Sequence, residues 1–226
     1  MKDKLLEVIA ANINDIKIIN ESNADRIEFC KELKKGGFTP EYDDIKKACE
    51  ISKLPINVMV RNTDRDFCYT EEEFKWMLSD IEFINSVKPN AIVIGILKED
   101  KSIDIERMKI VKEKLDSKIK ITFHKAFDEV LDKIEGLKIL KELGVSTILT
   151  SGGANILENL KLLNELSNLS DIEILAGGGI NSNNIDLVKQ SVESIHVGTL
   201  ARVKNSWDFE CDLNVINEIK ERIKRK

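Results

Sequence analysis

The chain has 226 residues, 42% hydrophobic and 33% charged: enough apolar side chains to close one core, and too many charges to lie in a bilayer. Thirty-five basic residues against forty acidic ones leave a net charge of −5, spread along the chain, and this excludes the concentrated basic face of a nucleic-acid binder. The start, Met1 to Glu7, has no apolar signal-like stretch, and no run approaches the ~18 apolar residues of a membrane span, so the sequence predicts a cytoplasmic protein with no membrane partner.

Short β-branched or apolar runs alternate with helical stretches throughout, the pattern of a parallel sheet with crossover helices. Strands are predicted at residues 5–10, 25–30, 56–61, 91–96, 119–124, 146–151, 172–176 and 194–198, with helices between them such as 71–87 and 134–143. Thr39 before Pro40 reads as an N-cap and first helical residue, Thr70 with Glu73 as a capping box, and Gly144 as the residue closing a helix. The terminal cluster Lys220, Arg222, Lys224, Arg225 and Lys226 suits the end of a last helix. Eight units with no linker, and no glycine fingerprint after the first strand, favour a single-domain (β/α)8 barrel over a doubly wound sheet.

Side chains alternate across a strand, and in a barrel the set facing the helices must be apolar. On the fifth strand Ile119, Ile121 and Phe123 therefore face out, leaving Lys120, Thr122 and His124 inside. The same test sends Leu5, Glu7 and Ile9 inward on the first strand, Arg26, Glu28 and Cys30 on the second, Asn57, Met59 and Arg61 on the third, and Ser194, His196 and Gly198 on the eighth. Glu7, Glu28, Arg61 and the chain's only two histidines thus share one interior, near the strand ends where barrel sites are built. Buried charge is costly unless paired or bound to something. Either these groups satisfy one another, or Glu7, Glu28 and His124 act as general acid or base on a bound ligand.

Glycine turns follow the sixth, seventh and eighth strands: Ser151-Gly152-Gly153, Gly177-Gly178-Gly179-Ile180 and Gly198-Thr199. Barrels bind phosphate through such turns, because bare backbone N–H groups reach the anion. The expected ligand is a small anion such as a phosphorylated metabolite, contacted by Ser151, Gly152, Gly178, Gly179, Gly198, His196 and Arg61, with Lys125 as a further cation. Lys125 is out of phase with the inward set, which argues against a Schiff-base role. The four cysteines, Cys30, Cys49, Cys68 and Cys211, show no paired spacing, so neither a zinc ribbon nor a disulfide framework is expected, and the residues alone require no cofactor.

Seven strings occur in order: Leu6-Glu7-Val8, Ala24-Asp25-Arg26-Ile27-Glu28-Phe29-Cys30, Gly36-Gly37-Phe38-Thr39-Pro40, Val58-Met59-Val60-Arg61, Phe123-His124-Lys125-Ala126-Phe127-Asp128, Leu149-Thr150-Ser151-Gly152-Gly153 and Gly177-Gly178-Gly179-Ile180. Together they resemble the copper homeostasis protein CutC family. The resemblance implies a TIM barrel, a cytoplasmic location, a homo-oligomer and copper handling, with Cys30 as a candidate copper ligand beside Met59. Three positions depart from the family strings. Ile9 stands where relatives often carry cysteine, Lys125 where they usually carry arginine, and Asn62-Thr63-Asp64-Arg65-Asp66 where they show Pro-Arg-Gly-Gly-Asp.

Overall fold

A computed structural model describes residues 4–224 of the chain. Eight parallel strands close in sequence order: β1 (Leu5–Ala10), β2 (Arg26–Phe29), β3 (Ile56–Met59), β4 (Ala91–Ile94), β5 (Lys120–Phe123), β6 (Thr147–Thr150), β7 (Glu173–Ala176) and β8 (Ser194–Val197). Around them run α1 (Ile13–Asn20), α2 (Tyr42–Ile51), α3 (Glu71–Val87), α4 (Ile105–Lys114), α5 (Lys133–Glu142), α6 (Leu160–Leu169), the single turn α7 (Ile185–Val188) and α8 (Leu213–Lys224). Among the described residues no helix is long and apolar enough to cross a membrane.

The barrel stands on the alternation of its strands. Leu6, Val8, Ile27, Phe29, Val58, Ile121, Phe123, Ile195 and Val197 are buried against the helices, as parity requires. At about 1.5–3 kcal/mol for each large apolar side chain removed from water, this layer supplies most of the drive to close the sheet. A separate small cluster of Ile9, Cys30, Met59 and Val93 lies apart from that layer, with Leu33 and Trp207 packed on it.

The strands end sooner than their apolar patterns suggest. Cys30, Arg61, His124 and Gly198 all lie just past the named strand ends, with the Cys30 and His124 N–H groups still donating to Ala10 and Ile94 of the adjacent strands. The Thr70–Glu73 capping box is present, and Gly144 closes α5 with φ +76°. Thr39 and Pro40 do not start a helix. The Thr39 hydroxyl bonds Asp80 and the backbone of Arg61 instead, and α2 begins at Tyr42 behind the N-cap Glu41. The basic cluster does fall at the end of a last helix, with Arg222 and Lys224 in the final turn of α8, while the Lys220 ammonium is buried on the Lys4 carbonyl and Asp25. Met1, Lys2 and Asp3, and Arg225 and Lys226 of the basic cluster, lie outside the described residues.

Register decides what meets inside. Glu7 of β1 pairs with Arg26 on β2 and with His196 on β8, so three inward side chains of like parity converge. Arg26 Nε donates to Glu7 Oε2 at 2.5 Å, and its two terminal nitrogens hold Glu173 of β7 at 2.8 and 3.0 Å. Removing one partner of such a buried pair strands the other charge. Arg26→Met is expected to lower unfolding stability by about 3–5 kcal/mol in a denaturant titration, far more than a surface arginine.

Candidate functional site at the barrel mouth

Above the Arg26 layer, a cavity of about 290 Å³ opens at the C-terminal ends of the strands. Its polar lining is Glu28, Arg61, His124, Lys125 and His196, from β2, β3, β5 and β8 or the residues that follow them. Apolar walls come from Ile9, Met59, Phe67, Leu149 and Trp207, with Cys30 among them.

Glu7 lies beneath this cavity. Its Oε2 accepts from Arg26 and from the Asn57 amide at 2.9 Å, and its Oε1 meets His196 Nδ1 at 2.7 Å. Burial opposes its ionisation, but the Arg26 charge and His196 outweigh burial and hold the carboxyl down at about 2. Both Glu7 oxygens are engaged, so the general acid or base role expected of Glu7 has no free oxygen at the cavity to act through. Glu7 instead orients His196. With Nδ1 held, Nε2 is left on the Glu28 side, 4.0 Å from Glu28 Oε1. Burial works against a charged imidazole at His196, yet Glu28 and Glu7 together raise its pKa.

Glu28 is the opposite case. Its Oε1 accepts only the weak Cys30 thiol at 3.8 Å, and its buried Oε2 has no partner. Burial, helped by the nearby Glu7 charge, outweighs His196 and Arg26 and raises this carboxyl to about 7. Two carboxylates on adjacent strands are thereby pushed apart, Glu7 well below and Glu28 well above the ordinary carboxylate range.

Arg61 is 5% exposed and forms no ion pair among the described residues. Its terminal nitrogens reach only the Lys35 and Arg65 carbonyls, both at 3.3 Å, and its Nε has no partner. The guanidinium lies over the Phe67 ring, 5.1 Å from the centroid, and that ring also leans on His124 at 4.9 Å. His124 Nδ1 accepts the Ala126 N–H at 3.1 Å, so the neutral ring carries its proton on Nε2, which is buried and unpartnered. Burial, reinforced by the Arg61 charge, lowers its pKa to about 3 and keeps it a neutral donor.

Lys125 reaches the mouth despite its strand parity. Strand geometry ends at Phe123, a 3-10 turn begins at Lys125, and the ammonium pairs with Asp128 at 3.5 Å. That ammonium also leans on the turn after β7, where a Cβ on Gly178 would lie 2.7 Å away.

The glycine turns are less uniform than expected. The Ser151 N–H and hydroxyl are taken by Asp128, and the Gly152 N–H by Thr150, so both residues brace the end of β6 rather than line the cavity. Gly178 and Gly179, at φ +92° and +79°, stand outside the lining. Gly198 gives room to Trp207, whose ring would touch a Cβ there at 2.5 Å. Trp207 and Phe67 were not anticipated. Both sit in loops without periodicity, and the only signal was the presence of large aromatic residues in the polar segments after β3 and β8.

Glu7, Glu28 and His196 form a cluster close enough to share a metal ion. With both Glu7 oxygens occupied and Arg26 alongside, only Glu28 and one imidazole nitrogen remain to bind one, too few for a closed cage. The sulfurs fare similarly. Cys30 and Met59 line the same wall, but burial and the Glu28 carboxylate push the Cys30 thiol well above its ordinary range, and Ile9 supplies no second thiol. Copper(I) favours several soft, preferably thiolate, ligands, and this donor set does not meet that need.

The CutC family model matches residues 4–201. A CutC family protein of Klebsiella pneumoniae (strain 342) is 37% identical over 195 residues, covering 85% of this chain and 78% of that protein. One from Bacteroides fragilis is 32% identical over 216 residues, covering 93% and 86%. The crystal structure of the putative copper homeostasis protein CutC from Streptococcus agalactiae superposes with a TM-score of 0.81 at 30% identity, over 86% of this chain and 98% of that one. Thiamine phosphate pyrophosphorylase from Pyrococcus furiosus, at 13% identity and a TM-score of 0.66 over 98% and 95%, shares the fold alone.

The Glu7 pKa has a consequence for stability. A carboxyl held near 2 in the fold and near 4.5 when unfolded stabilises the barrel above 4.5, and that contribution is lost as the pH falls through about 2. Urea unfolding across this window is expected to show stability dropping towards acid in the parent chain, and a shallower drop in Glu7→Gln.

Proposed function

For this chain, which belongs to the CutC family, we propose that the barrel mouth binds a small anionic metabolite and that Glu28 exchanges a proton with it. One observation carries the reading: Arg61 is a buried guanidinium with no carboxylate partner among the described residues, and it lines a cavity with Glu28 and His124, whose Oε2 and Nε2 likewise lack partners there. A buried cation of that kind is costly until an anion joins it, and the planar guanidinium fork suits a carboxylate or phosphate oxygen pair. Lys125 adds a second, partly exposed cation at the rim.

Copper homeostasis, which the family name implies, enters this reading through the ligand of the mouth rather than through an ion held by Cys30. The reading takes the protein as cytosolic and homo-oligomeric, supported by four unpaired cysteines and by the resemblance.

Calorimetric titration with inorganic phosphate, sulfate and small mono- and dicarboxylates tests it. At least one is expected to bind the parent chain, and Arg61→Met is expected to weaken that binding at least about tenfold, since a charge-assisted hydrogen bond contributes about 1.5–3 kcal/mol. Equal affinity in the variant would contradict the reading. Metal analysis of tag-free protein, with Cys30→Ser alongside, addresses copper: equal and low copper in both is expected, whereas stoichiometric copper lost in the variant would restore a thiol site.

A further inference from the structure

The proposed anion site does not by itself say what is done to the ligand, but the placement of Glu28, Arg61 and His124, each with one buried atom that lacks a partner among the described residues, does. Glu28 stands at β2, Arg61 beyond the end of β3 and His124 just past the end of β5, around a single cavity. Arg61 and His124 both contact the Phe67 ring, so an anionic group and a second polar group one or two bonds away can be held together on that side. Glu28 lines the same cavity from β2. The volume, about 290 Å³, accommodates roughly ten non-hydrogen atoms at the ~30 Å³ that each water occupies in the liquid.

Each group offers one kind of contact. Arg61 presents a fork for a carboxylate. His124 presents an N–H whose direction is fixed twice, by the Ala126 N–H on Nδ1 and by Gly95, where a Cβ would lie 2.6 Å from that nitrogen. Glu28 lines the cavity and carries one buried carboxylate oxygen without a partner among the described residues. A carbonyl polarised by a neutral donor, beside a free carboxylate base, is the arrangement that removes a proton from the adjacent carbon.

We propose that the mouth enolises a small 2-oxo acid: Arg61 holds the carboxylate, the His124 Nε2–H bonds the ketone oxygen, and Glu28 takes a C3 proton. The inference rests on the anion-site reading above and adds the reaction class to it. In the step, the C3–H bond breaks and its proton bonds to a Glu28 oxygen. Its electron pair forms the C2–C3 double bond, while the carbonyl π pair moves to the oxygen hydrogen-bonded to His124. Reversal returns a proton from Glu28 to C3. No oxidant or co-reactant is consumed, and the enolate, its oxygen hydrogen-bonded to His124, is the species from which an isomerisation or a carbon–carbon bond change would proceed. His196 and Glu7 are positioning residues here, as they set the polar floor beneath Glu28.

The experiment follows loss of the C3–H signals of pyruvate and 2-oxobutyrate in deuterated buffer by proton NMR, with saturation-transfer measurements on the same samples to report binding. The parent chain is expected to bind one of them and to exchange its C3 hydrogens at least about 100-fold faster than Glu28→Gln, the range in which a positioned base acts. Glu28→Gln should retain binding, and His124→Gln should retain binding with slowed exchange. A bound 2-oxo acid with no exchange above the Glu28→Gln level overturns the reaction and leaves the anion site standing. Binding of phosphate, sulfate or acetate but of neither 2-oxo acid overturns the substrate class alone, and absence of binding by all of these overturns both.

Discussion

The interaction on which the rest of the interior depends is the contact of Glu7 with Arg26 on one side and His196 on the other. It exists because parallel register pairs these three residues across the β8–β1–β2 junction, and all three point inward by parity. A carboxylate wholly removed from water needs its whole hydrogen-bonding capacity filled, and Arg26, Asn57 and His196 fill it. Arg26 then continues to Glu173, which joins β7 to the same layer. The floor of the mouth is therefore a connected electrostatic unit spanning five strands, β7, β8, β1, β2 and β3.

Once that floor is neutralised, the groups above it cannot draw on it for partners. Glu28 sits beside a carboxylate that is already spoken for, and the nearest basic group, His196, is tied to Glu7. Arg61 lies higher, between the aromatic rings of Phe38 and Phe67, with carbonyls as its only hydrogen-bond acceptors. One fold thus produces a satisfied lower layer and an unsatisfied upper one. Arg202 contributes to the upper layer from outside the lining: its buried pair with Asp15 anchors the loop after β8 to α1, and its guanidinium carries the Trp207 ring.

Much of this was legible in the sequence, because the constraint that makes it legible is simple. Side chains between sheet and helices must be apolar, so the polar residues of alternating strands are assigned inward by elimination, and Glu28, Arg61, His124 and His196 were found this way. The division of labour between Glu7 and Glu28 was not, since it depends on which neighbours register supplies. Glu173 alternates with Ile172 and Ile174 and follows the same rule, yet only the closed barrel reveals Arg26 as its partner. Lys125 shows where alternation stops: the strand ends two residues earlier, and a 3-10 turn redirects the chain. Thr39 and the Ser151-Gly152 turn resemble helix and anion-loop signals locally, but their hydrogen bonds go to Arg61, Asp80, Asp128 and Thr150.

The central claim is that two buried glutamates on adjacent strands hold opposite protonation behaviour, one fixed as structure and one free to act. Site-resolved carbon-13 NMR of the side-chain carboxyls, followed across pH with Glu7→Gln and Glu28→Gln for assignment, measures this directly. Glu28 is expected to titrate near 7 and Glu7 to stay ionised down to about 2. Both carboxyls titrating together in the ordinary range around 4.5 would contradict the account.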